Sequence, residues 1–453
     1  MEHSKDLLNG RIVPVLTKLA IPIVGTSFLE MAYNLVDMIW IGRLGANSVA
    51  AIGVAGMFAW FSAGLALIAR AGGQVKVGHS LGANKQEEAH HYASCTFQIG
   101  IVFALSYALI ACIFAPQMIH FFGLTQPETI KEGIIYMRII CGFMVINYMN
   151  MMMTAIMNAT GDSHTPFTCN TTGLIANMIL DPLFIFGFGP IPHMGVMGAA
   201  IATILAQVVV FCVFQYRIHQ SDIVLNHVNI FKIYDRTYYL DILKIGFPLG
   251  LESMLFSICS MIIAKFVATY GESAIAAQKI GTQVESISWN MADGFQLAIN
   301  AFIAQNYGAK KYDRVNKGYH TILVIGIIWG VMCTAGLMIF PHLIYQIFVS
   351  DPHVIRIGVT YLRILALSQI LMIIEITISG AFSGLGNSVP PSIISIIFTF
   401  GRVPVIMLLT MPLGLNGIWW TISMSSVIKG IVALIWFHAY KEKTLHPKEL
   451  SSQ

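Results

Sequence analysis

Apolar stretches long enough to cross a lipid bilayer follow one another along this whole chain, and no other feature restricts its fold so severely. Hydrocarbon offers no water to satisfy peptide groups, so each stretch of about 20 residues must be a helix that closes its own hydrogen bonds. Twelve such spans are predicted, at 13–42, 48–75, 90–115, 130–155, 166–188, 195–217, 240–268, 273–303, 318–345, 356–382, 389–411 and 415–439. Only 11% of the 453 residues are charged and 56% are hydrophobic, against about 25% charged in a soluble domain. The expectation is an all-α integral membrane protein with no separate soluble domain.

Orientation follows from the basic residues, which favour the cytoplasmic side. Sixteen Lys and Arg, among them Lys5, Lys85, Lys310, Lys311 and Lys448, fall on the side shared by both ends of the chain, against Arg43, Lys131 and Arg356 on the other. Both termini are therefore expected in the cytoplasm, with the protein multi-pass in the cell inner membrane. The formal net charge of +4 is spread over short loops, which argues against nucleic acid as a partner. The first residues read as the start of a span rather than a removable signal. Seven scattered cysteines without CxxC spacing are expected as free thiols.

The second half of the chain repeats the first. LAIPIVGTSFLE beside IGFPLGLESMLF aligns Pro22 with Pro248, a shift of 226, and the same shift pairs Gly45 with Gly271 and Gly82 with Gly308. At 225, ATGDSHTP beside GLGNSVPP pairs Gly161 with Gly386; further on, at a shift of 219, GVMGAAIAT beside GLNGIWWTI pairs Gly195 with Gly414. Six spans per copy leave the halves in parallel orientation, the sequence mark of an alternating-access transporter. Two pseudo-symmetric six-helix lobes are expected, 1–220 and 221–453.

Charge does not follow the repeat. Under the same shifts Asp37 falls on Ile263, Glu252 on Thr26, Glu285 on Ala59, Asp293 on Leu67 and Glu375 on Asn150. A carboxylate at the bilayer centre costs roughly 2.5–3.5 kcal/mol on insertion scales, so such residues face a protein interior or a wet cavity and mark an ion or substrate path. In the first span Glu30, Tyr33 and Asp37 share one helical stripe. In the fifth, Asn177 and Asp181 lie four apart with Pro182 directly after, an oxygen set of the kind a hard cation prefers, to which Thr203 adds a hydroxyl. A structural acid capping a kink is the competing reading. The eighth span is unusually polar, with Lys279, Glu285, Trp289 and Asp293; Trp289 and Asp293 would suit an organic cation, and Lys279 would neutralise an acid. Five methionines in YMNMMMTAIMN either line a cavity or simply pack. Arg402 and Lys429, in late spans, pair with acids or snorkel.

The chain carries no GxxxxGK[ST], HExxH or GxSxG motif. Neither an enzyme nor a cofactor is expected, and no ATP is implied.

VDMIWIGRLG in the first span, LGANKQEEA after the second, ATGDSHTP after the fourth, NMILDPLFIFG, FPLGLE and GLGNSVPP together resemble the multidrug and toxic compound extrusion (MATE) transporters, in the superfamily that also holds lipid-linked oligosaccharide flippases. The resemblance covers nearly the whole length. It implies two six-helix lobes forming a V and export of cationic or amphipathic organic compounds in exchange for Na+ or H+, with a monomer expected. By that resemblance Asp37, Asn177, Asp181 and Thr203 form the cation site, Na+ being held by Asp37, Asn177 and Asp181 if it is the coupling ion. Glu252 matches a seventh-span acid, and Tyr33, Glu30, Glu285, Asp293 and Glu375 stand as further substrate or proton candidates. A flippase would want a more basic cavity for pyrophosphate. A membrane-embedded lipid-modifying enzyme would want a carboxylate-rich loop, and 218–240 has only Asp222 and Asp235.

Overall fold

The computed structural model describes residues 7–121, 126–189, 192–220 and 224–445, and these are helical almost throughout. Lys5, Asp222 and Lys448 lie outside the described residues, as does the side chain of Tyr33. The first half comprises α1 (Ile12–Gly42), α2 (Ala46–Gly82), α3 (Gln86–His120), α4 (Pro127–Gly142), α5 (Met144–Thr160), α6 (His164–Phe186) and α7 (Gly195–His219). The second comprises α8 (Arg236–Ala268), α9 (Glu272–Gly308), α10 (Tyr312–Ile339), α11 (Pro341–Phe348), α12 (Pro352–Ala366), α13 (Gln369–Gly384), α14 (Val389–Phe400), α15 (Arg402–Leu413) and α16 (Leu415–Leu445).

Among the described residues nine segments are long and apolar enough to cross a membrane, and two bent pairs bring the number to eleven: α4 with α5, bent by 46°, and α12 with α13, bent by 53°. The remaining predicted span is α9, whose 37 residues reach about 55 Å at 1.5 Å per residue. It is long enough but falls below the apolar threshold because it carries Lys279, Glu285 and Asp293. The protein is a multi-pass membrane protein.

The repeat is written in the backbone. The left-handed residues recur in register: Gly45 (φ 111°) with Gly271 (φ 95°), Asn84 (φ 60°) with Lys310 (φ 58°), Gly161 (φ 91°) with Gly386 (φ 86°), and Gly195 (φ 54°) with Gly414 (φ 56°). Each ends one helix or opens the next, where a tight turn needs positive φ that glycine adopts without penalty. At the first of the GDS/GNS turns, Asp162 accepts hydrogen bonds from Thr165 N (3.0 Å) and Thr165 Oγ1 (2.6 Å), starting α6.

Two compact units result, one running from Ile21 to Leu251 and the other from Glu252 onward together with Gly10–Ala20. In the first, α2 packs against α3, α4 and α5, and α6 pairs with α7. Its core holds Met137, Tyr148, Met152, Met153, Met157 and Phe214, so three methionines of the α5 stripe are buried packing and Met149 and Met151 rest against them. The segment before α8 is fastened to α3, since Gln98 Nε2 donates to the carbonyls of Ile230 (2.9 Å) and Lys232 (2.8 Å). In the second unit α13 is the central helix, packed by α9, α10 and α16. All seven cysteines are free.

Candidate functional site

In the first unit the buried charge gathers between α1 and α6. Asn177 and Asp181 lie one turn apart on α6, and Asn177 Nδ2 donates to Asp181 Oδ1 at 2.6 Å. Asp181 has no exposed surface, and its Oδ2 meets no hydrogen-bond donor. What it meets is Asp37 of α1, whose carboxyl lies within hydrogen-bond reach of it. Two carboxyls that close cannot both stay ionised without a cation between them; otherwise one of them holds a proton. Among the described residues no Lys or Arg acts on either acid. The phenol of Tyr136, on α4, lies close to both. It is missing from the sequence reading because a tyrosine in an apolar helix looks like any other core aromatic. Carboxylate and amide oxygens are the donor types a hard cation prefers.

Thr203 sits half-buried on α7 and donates its hydroxyl back to Ala199 O at 3.0 Å, leaving the oxygen's lone pairs free to accept or ligate. One turn further on, Gln207 ties α7 to α5 through Asn150 Nδ2 (2.9 Å to both its backbone and side-chain oxygens). Glu30 differs from Asp37 in kind: it is exposed on α1 and has Arg70 of α2 within electrostatic range.

The second unit handles charge otherwise. Glu285 of α9 is buried and saturated, its Oε1 accepting from Gln369 Nε2 (3.0 Å) and its Oε2 from Tyr361 OH (3.4 Å). Glu375 of α13 forms an ion pair with Lys429 of α16 at 3.6 Å. Glu252 of α8 faces the hydroxyls of Ser392 and Ser395 on α14, with Glu375 and Lys429 close enough to act on it electrostatically. It sits on a crevice walled by Phe256, Phe400 and Thr399. Asp293 is exposed on α9, and Trp289 commits its indole N–H to Met372 Sδ at 2.8 Å. Lys279 is exposed; the cations near the buried acids are Lys429 and Arg402 instead.

The repeat relates these two arrangements. At a shift of 225 Asn177 corresponds to Arg402 and Asp181 to Ile406. Arg402 is buried and donates to Ser425 Oγ (2.7 Å) and Ser426 Oγ (3.3 Å), with Glu285 and Glu375 in its field. Where the first half gathers carboxyl and amide groups, the second contains a guanidinium.

The model of the MatE family matches the chain twice, over residues 22–183 and 248–408, with the copies offset by the same 226 and 225 positions that relate the two halves. The chain belongs to the MatE family. Relatives include "Probable multidrug resistance protein NorM" of Thermotoga maritima, 26% identical over 426 residues and 93% of this chain and 91% of that one. "Multidrug export protein MepA" of Staphylococcus saprophyticus is 22% identical over 429 residues, 94% and 93% of the two chains. Among solved structures, the outward-facing conformation of a multidrug resistance MATE family transporter of the MOP superfamily superposes with a TM-score of 0.89 at 23% identity, over 97% of this chain and 98% of that one. At that identity the likeness establishes the MatE fold and leaves the chemistry to the residues above.

Proposed function

We propose that this MatE protein is a secondary multidrug efflux antiporter, exporting cationic or amphipathic organic compounds in exchange for Na+ or H+. The observation that carries the reading is the Asp37–Asp181 pair, a half-buried and a buried carboxyl with no cationic side chain beside them among the described residues. Such a pair binds a proton or small cation in one state and must give it up in another to turn over. An ion with different affinity for the two conformations shifts their populations by that difference and no more. An inward membrane potential adds about 2.3 kcal/mol per charge per 100 mV, roughly fiftyfold at tenfold per 1.36 kcal/mol. No ATP, cofactor or enzymatic step enters this scheme, and the working unit is a monomer.

In this reading Asp37, Asn177, Asp181 and Thr203, with Tyr136, serve the coupling ion. Glu252 and its crevice take the positive charge of the substrate, with Phe256 and Phe400 among the residues that line it. The lobes are 1–220 and 221–453, and both termini are cytoplasmic in the inner membrane. Dye efflux from everted vesicles under separately imposed Na+ and H+ gradients tests the reading. Efflux driven by one gradient and abolished in Asp37→Asn supports it, and efflux indifferent to both gradients refutes it.

A further inference from the structure

Around the Glu375–Lys429 pair of the second unit three acids, the half-buried Glu252 and the buried Glu285 and Glu375, face two buried bases, Arg402 and Lys429. Glu285 has its two donors and lies in the field of Arg402. Glu375 has Lys429, and the pair is sealed from solvent, 9% of each side chain being exposed. Its 3.6 Å separation is beyond hydrogen-bond length, so charge alone holds it. The acid left over is Glu252, whose Oε2 is buried without a donor. It opens on the crevice with Phe256 and Phe400, in the field of the same Lys429.

We propose that Lys429 is a tethered rival of the transported cation, a specificity-determining residue that sets how tightly the second unit holds positive charge. Its ammonium neutralises Glu375 and offsets the attraction of Glu252, so a guest cation seated on Glu252 is bound against a resident one. A lysine suits this role better than an arginine, because its charge is a compact point on a flexible four-carbon stem rather than a rigid fork locked to one carboxylate. The arrangement keeps the cation site shallow enough to empty again. It also biases the unit toward large cations with diffuse charge, which gain from the phenyl walls what they lose to the lysine.

This inference rests on the reading that the Glu252 crevice takes the substrate's charge, and binding of tetraphenylphosphonium to the purified full-length protein separates the two. Glu252→Gln tests the reading: binding should fall, and unchanged binding removes the site together with the tether. Lys429→Met and Glu375→Gln test the tether. Lys429→Met should tighten binding about tenfold or more, and Glu375→Gln, which leaves the ammonium unopposed, should weaken it about tenfold, since a unit charge a few ångströms away in a protein environment is worth that much or more. If the pair only holds α13 to α16, both neutralising variants weaken binding. That result, or no change in either, with Glu252→Gln still impaired, overturns the tether and leaves the substrate site standing. Glu375→Gln keeps shape and volume, so the sign of its effect decides even where Lys429→Met lowers the yield of folded protein.

Discussion

Asp181 keeps one buried oxygen that no donor satisfies and lies beside the carboxyl of Asp37, and the two acids belong to helices more than a hundred residues apart in sequence. An unpaired buried carboxylate is unstable, so the site is complete only with a proton or a cation. Asp37→Asn and Asp181→Asn should each give a folded, membrane-inserted protein whose gradient-driven efflux is lower by about tenfold or more, the scale of a coupling of 1–3 kcal/mol. The double variant should be little worse than either single one, because the pair acts as a unit. Vesicle efflux at matched expression measures this, and wild-type efflux from either single variant makes the acids structural.

Topology is testable at the helix ends. Lys85, between α2 and α3, and Glu128, in the first turn of α4, are both exposed and separated by the whole of α3. In a cysteine-free background, single cysteines at the two positions should react with an impermeant maleimide from opposite sides, Lys85 from the cytoplasm. Labelling of both from one side removes the twelve-span arrangement. Exchange of Lys85 should itself cost little, since its 2.9 Å pair with Glu88 is exposed and solvent screens such pairs.

The repeat makes a stability prediction of its own. A Cβ at Gly198 would run into the carbonyl of Phe184, and one at Gly417 into that of Leu409, in corresponding hairpins of the two halves. Backbone cannot yield as a flexible side chain can, so Gly198→Ala and Gly417→Ala should each destabilise by about 1–3 kcal/mol or more. Thermal unfolding in detergent should record comparable losses for both, and a loss in one alone would mean that the halves are packed differently there.

Glu285 anchors a purely protein-satisfied network in the second unit. Gln369→Met removes its stronger donor and should cost about 1.5–3 kcal/mol, the worth of a hydrogen bond to a charged group, with drug affinity changed less than stability. Unfolding curves and binding isotherms on the same preparation check both halves of this statement. A large affinity change at unaltered stability would instead move Glu285 into the substrate path.

Much of this was legible in the sequence because membrane helices obey one blunt rule, burial of every backbone group, and duplication doubles each turn signal. The twelve spans, the 226 offset and the isolation of Asp37 and Asp181 are one-dimensional features and could be counted. What could not be counted is which charges meet. Nothing local in MPLGLNGIWWTISMSSVIKG says that Lys429 reaches Glu375, and nothing local in α4 says that Tyr136 lies within electrostatic range of Asp37 and Asp181. Those contacts are set by packing between helices distant in sequence. Arg402 read in the sequence only as a residue that pairs with an acid or snorkels, and its correspondence to Asn177 gains meaning from the geometry of both sites.

The most direct measurement is an equilibrium titration of tetraphenylphosphonium binding against Na+ concentration and against pH, on wild type, Asp37→Asn and Glu252→Gln. In an antiporter the coupling ion and the drug must weaken each other's binding by the same factor. The account predicts that one of the two ions lowers drug affinity in wild type, that Asp37→Asn abolishes this competition, and that Glu252→Gln binds the drug more weakly while keeping it. Competition that survives Asp37→Asn and disappears in Glu252→Gln would contradict the account, placing the coupling ion in the second unit.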